Sequence, residues 1–100
     1  MSGKVEFRDI EILIKDGRLD DARSALDSII ASLDGEGEDR RSLAEAYFRR
    51  GKIAWRQGRR AEAQGDYARA VALDPSSQAS MALQQAREVD AFFHHDLYNP

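Results

Sequence analysis

The residues whose types could do chemistry fall into three groups. They are the pair His94-His95 with Asp96 beside it, the acidic runs Asp20-Asp21 and Asp34-Gly35-Glu36-Gly37-Glu38-Asp39, and the cations Arg49, Lys52 and Arg56 among Phe48 and Trp55. Neighbouring residues on a helix point about 100° apart, so adjacent histidines chelate a metal poorly. They read better as a polar helix end, which the helix dipole favours when histidine is protonated. The 34–39 run lacks the alternating ligands and closing glutamate of a calcium loop, and both acidic runs read as solvated acids. There is no cysteine, which removes disulfides, thiolate nucleophiles and sulfur-ligated zinc. No Ser-x-x-Lys, Gly-x-Ser-x-Gly or His-Glu-x-x-His arrangement occurs, and no glycine-rich phosphate loop follows a strand. We therefore expect no catalysis, no cofactor and no metal, and binding chemistry at the third group.

The elements that must position those cations belong to a chain of 100 residues, 42% apolar and 33% charged, enough for one small globular domain. Apolar runs are no longer than four residues, so neither a signal peptide nor a membrane span is expected, and the cytoplasm is the expected compartment. Charge is segregated along the chain. Residues 1–39 carry 5 Lys/Arg against 11 Asp/Glu, residues 40–73 carry 9 against 3, and residues 74–100 carry 1 against 4. A basic middle between acidic ends is explained by attraction between segments within the fold, or by a basic middle that also faces a partner.

Proline occurs only at 75 and 100, and the apolar periodicity is helical throughout. A first helix from about Val5 to Asp16 sets Phe7, Ile10, Leu13 and Ile14 on one face and stops at Gly17. A second, from near Asp20, carries the stripe Ala22, Ala25, Leu26, Ile29, Ile30, Leu33. After the acidic loop, Ser42 with Glu45 predicts a capping box that opens a third helix running to Gly58. A fourth spans about Arg60 to Leu73 and ends at Asp74-Pro75. The fifth runs from about Ser77 to His94, with Met81, Ala82, Gln85, Ala86, Val89, Phe92 and Phe93 along one side. At an offset of 41 residues the chain repeats: Ile12, Lys15, Gly17, Arg18 and Ala22 return as Ile53, Arg56, Gly58, Arg59 and Ala63, and Leu26, Ile29 and Ile30 as Tyr67, Ala70 and Val71.

Residues 44–77, with Tyr47-x2-Arg50-Gly51-x2-Ala54, Gln57-Gly58, Ala63-x3-Tyr67-x2-Ala70 and Leu73-Asp74-Pro75, resemble a tetratricopeptide repeat. Gly51, Ala63 and Ala70 fall where two helices cross too closely for larger side chains. Arg50 and Ala54 depart from the family's usual leucine and aromatic, with Trp55 next door as a compensating side chain. The resemblance implies an all-α, right-handed α-solenoid fragment of five helices. Its parts are a degenerate repeat at 3–36, an acidic loop and helix cap at 37–43, a well-matched repeat at 44–77, a capping helix at 78–94 and a tail at 95–100.

In that family the first helix of each hairpin lines a concave groove for peptides or partner helices. The resemblance then implies a groove containing Glu45, Phe48, Arg49, Lys52, Trp55 and Arg56, suited to an acidic peptide. The plain alternative pairs these cations with Glu11 and other acids of the first hairpin. Positions that form a two-carboxylate clamp in some relatives hold Phe7, Glu11, Arg49, Ala79 and Leu83 here, and only Arg49 is basic, so that clamp is not expected. Val5 and Ile12 lie opposite the Phe7–Ile14 face and form an edge for weak homodimerisation. The tail, with Leu97 and Tyr98, either covers the open end of the stack or occupies the groove. The expected function is a protein–protein adaptor. The alternatives are a self-associating structural subunit and, third, non-specific nucleic-acid binding through Arg49, Lys52, Arg56, Arg59 and Arg60, against which the acidic ends argue.

Overall fold

The computed structural model describes residues 6–33, 37 and 39–98, with side chains as far as Phe92. Val5, the acidic residues 34–36 and 38, and the tail side chains from Phe93 onward lie outside that description. Five helices follow one another: α1 (Phe7–Lys15), α2 (Leu19–Ser32), α3 (Asp39–Arg56), α4 (Arg60–Leu73) and α5 (Ala79–Tyr98). Each packs chiefly against the next in sequence, and there is no strand among the described residues.

The sequence repeat is a repeat of turn geometry. Gly17 and Gly58 take left-handed φ values of 78° and 79°, which a side chain would resist. Around Gly17 the N–H of Arg18 donates to Leu13 O at 2.8 Å and that of Gly17 to Ile14 O at 3.0 Å. Around Gly58, Arg59 N–H donates to Ala54 O at 2.8 Å and Gly58 N–H to Trp55 O at 3.1 Å. Both are Schellman turns, satisfying the same terminal carbonyls, and each sends the chain back as a helical hairpin. At the other end of α4, proline forces Asp74 into extended backbone (φ −146°, ψ 94°). The α4 terminus is then tied to α3: Arg40 Nε donates to Leu73 O at 2.7 Å and Nη2 to Ala72 O at 3.2 Å.

Two apolar clusters hold the stack. Ile10, Ala22, Leu26, Ala46 and Ile53 join the first hairpin to α3. Ala44, Phe48, Ala54, Ala63, Tyr67, Ala70, Ala79, Leu83 and Ala86 join α3, α4 and α5. Helix α3 supplies both and is the spine of the molecule. Its Gly51 lies under the Tyr67 ring, where a Cβ would meet ring carbons at 2.7 and 2.8 Å. The small residue at this crossing is therefore a steric requirement.

Two expectations are corrected, and the packing of α5 adds a third finding. Helix α3 begins at Asp39, so Ser42 sits a turn inside it and caps nothing, while Glu45 binds Arg49. Ser and Glu at capping spacing are outweighed here by a helix that continues back toward the Gly37 turn, whose carbonyl accepts from Arg40 N–H. Helix α5 buries Ala79, Leu83 and Ala86, while of the side running from Met81 to Phe92 only Ala86 is buried, Met81 being 69% exposed and Phe92 65%. Finally, α5 continues to Tyr98, past the expected end near His94.

Candidate functional site: a groove across three helices

Helices α1, α3 and α5 share one side of the stack. Between α1 and α3 runs an open groove of about 760 Å³, walled by Arg8, Ile12 and Lys15 on α1 and by Glu45, Arg49 and Lys52 on α3. Between α3 and α5 a second depression of about 520 Å³ is lined by Trp55, Arg56, Met81 and Gln85. Phe48, Lys52 and Gln78 line both, so the two form one surface.

The Phe48 side chain is buried, tilted 44° against Tyr67 with ring centroids 6.0 Å apart, and forms the groove floor. The ammonium of Lys52 lies 5.3 Å from the Phe48 ring centroid, a cation–π contact that leaves Lys52 exposed at the surface. Arg49 follows the plain alternative. Its Nη1 donates to Glu11 Oε1 at 3.0 Å and its Nε to Glu45 Oε2 at 2.7 Å, and the guanidinium lies 4.7 Å from the Phe7 centroid. One cation between two carboxylates leaves that part of the wall mildly acidic. Arg50, on the neighbouring face, donates twice to Asp66, at 2.9 and 2.8 Å, and once to Asp27 at 2.9 Å. Those acids raise its pKa above the ordinary guanidinium value.

Lys15, Lys52 and Arg56 have no carboxylate within ion-pair distance among the described residues. Trp55 is half-buried against the second cluster and faces α5. Ile12, 53% exposed, stands on the α1 wall of the groove, and its expected edge partner Val5 is outside the described residues. Sequence reasoning missed Lys15 and Met81 as lining residues. The signal for Lys15 was present, because the 41-residue offset pairs it with Arg56. Helical periodicity sets Met81 along one side of the fifth helix without assigning it to the groove. Among the described residues, no three His, Asp or Glu side chains converge to hold a metal ion.

Helical hairpins stacked in sequence, with alternate helices lining a continuous face, define an α-helical repeat scaffold. The family model of the tetratricopeptide repeat matches residues 44–77, from within α3 through α4 to Ser77. That match supports a domain of the tetratricopeptide-repeat family at this segment, and such repeats serve generally as protein–protein interaction motifs. The chain matches no curated protein and no solved structure significantly. No helix among the described residues is long and apolar enough to cross a membrane.

Proposed function

We propose that this protein is a non-enzymatic cytoplasmic adaptor whose α1–α3–α5 face takes a peptide or helix bearing both carboxylates and apolar side chains. The supporting observation is the contrast among cations: Arg23, Arg49 and Arg50 are each engaged by acids of the fold, while Lys52 and Arg56 stand at the groove without one among the described residues. Phe48, Trp55 and Met81 supply apolar contacts beside them. Charge-assisted bonds give orientation there, and the aromatic surface gives affinity.

The single tryptophan lies at this surface, so its fluorescence reports occupancy. Titration with a peptide of about ten residues rich in Asp, Glu and Leu should shift Trp55 emission. The double variant Lys52→Glu, Arg56→Glu should weaken that peptide at least about tenfold while its circular dichroism stays helical. Equal binding by the variant, or preference for a lysine-rich counterpart, would overturn the proposal. Affinity capture with the two proteins then identifies the natural partner. A second reading, self-association through the α1 edge, is favoured by the exposure of Ile12.

A further inference from the structure

The groove changes sign along its length. Asp20 on α2 meets Gln57 and Asp27 meets Arg50, so α2 runs antiparallel to α3. The tight turn at Gly17 sets α1 antiparallel to α2, and α1 and α3 therefore run the same way along the two walls. Toward their N-termini, Glu11 and Glu45 share one cation, Arg49, which donates to them at 3.0 and 2.7 Å. Both carboxylates keep solvent contact, their side chains being 64% and 38% exposed, so each can accept from a further donor. Arg8, at the same end, leans on Glu6 at 3.9 Å. Glu6, Glu11 and Glu45 against Arg8 and Arg49 leave that end with one negative charge in excess.

Toward the C-termini the sign reverses. Lys15 stands four residues beyond Glu11, and Lys52 and Arg56 stand seven and eleven beyond Glu45. These are the three cations without a carboxylate at ion-pair distance among the described residues. Along the α3 axis the cations lie about 10 and 16 Å from Glu45. Between the poles the apolar lining is Ile12 and Ile14 on the wall and the edge of Phe48, 7% exposed, on the floor. That narrow strip seats single side chains and does not match the broad apolar stripe of a helix. We infer that the occupant of this groove is an extended peptide of mixed charge. Its lysine or arginine lies against Glu11 and Glu45, one apolar side chain over Phe48, and its carboxylates against Lys15, Lys52 and Arg56. Extended chain advances about 3.3 Å per residue, so cation and carboxylates stand about three to five residues apart. This rests on the groove reading above and adds the ligand's second charge and the way round it lies.

Two hexapeptides with blocked termini, Lys-Ser-Leu-Ser-Asp-Asp and Gln-Ser-Leu-Ser-Asp-Asp, differ only in the charge at one end. Titrated into the full chain at low salt and followed by Trp55 emission, the lysine peptide should bind about threefold more tightly than the glutamine peptide. In the double variant Glu11→Gln, Glu45→Gln, with helical circular dichroism retained, that ratio should fall to one. A dansyl group on the aspartate end should quench Trp55 more than one on the lysine end, because Trp55 lies beside Arg56. Equal affinity of the two peptides for the wild type, a ratio unchanged in the variant, or equal quenching from both ends would each overturn the inference. The acidic peptide of about ten residues runs alongside. Its binding without a gain from lysine removes the second pole and keeps the groove, whereas Trp55 emission unmoved by every peptide removes both.

Discussion

Tyr67 is buried between Gly51 and Phe48, and that burial pushes its phenol above the ordinary tyrosine value, with the neighbouring Asp66 charge adding to the rise. Because the folded value exceeds the unfolded one, the associated stability is complete below the unfolded value near 10 and is lost as pH rises through the folded value. Urea midpoints measured between about pH 8 and 11 should therefore fall more steeply for the wild type than for Tyr67→Phe. Parallel curves would show that the phenol ionises without disturbing the fold. At this scale sequence reading was uneven. Lys52 and Arg56 were legible as exposed cations from their types and spacing. The capture of Arg49 by Glu11 was not decidable, because the two stand 38 residues apart and their distance depends on how α1 packs beside α3.

At the scale of elements, the α3–α4 crossing depends on Gly51. Replacing it with alanine improves helix propensity by about 1 kcal/mol but sets a methyl group against the Tyr67 ring and 3.2 Å from the Ala63 carbonyl oxygen. Overpacking of this kind costs about 1–3 kcal/mol, so Gly51→Ala should lower stability. Gly65 is the control: it lies within α4 with nothing within 4 Å of an added Cβ, and Gly65→Ala should raise stability by about 0.5–1 kcal/mol. Opposite shifts in the urea midpoint confirm the crossing; shifts of the same sign would refute it. Four of the helices were legible to within a few residues because period and breakers agree: Gly17, Gly58 and Asp74-Pro75 stop helices by backbone sterics alone. The start of α3 was misread, since a Ser/Glu pair at capping spacing also occurs inside helices.

Across the whole molecule, Arg50 replaces the leucine usual in the repeat and ties the two hairpins together through Asp27 on α2 and Asp66 on α4. Asp66 is only 8% exposed, so Arg50→Leu would strand a carboxylate away from water and should cost about 2–4 kcal/mol. Combining it with Asp66→Ala should recover most of the loss, and a double variant no more stable than Arg50→Leu alone would show that the bridge is incidental. The segregated charge of the sequence is partly absorbed in this way: Glu11 of α1 and Asp27 of α2 meet Arg49 and Arg50 of α3, and Arg23 of α2 meets Glu62 at 3.0 Å. The sequence by itself determined the helices, their hairpin turns and the tetratricopeptide repeat at 44–77, because these follow from local backbone preference and short-range periodicity. Only the tertiary structure decided which cations remain at the groove, that Ile53 is buried while its repeat counterpart Ile12 is exposed, and which side of α5 faces outward. Those outcomes depend on what each helix meets across space, and equal residues at equal repeat positions meet different neighbours.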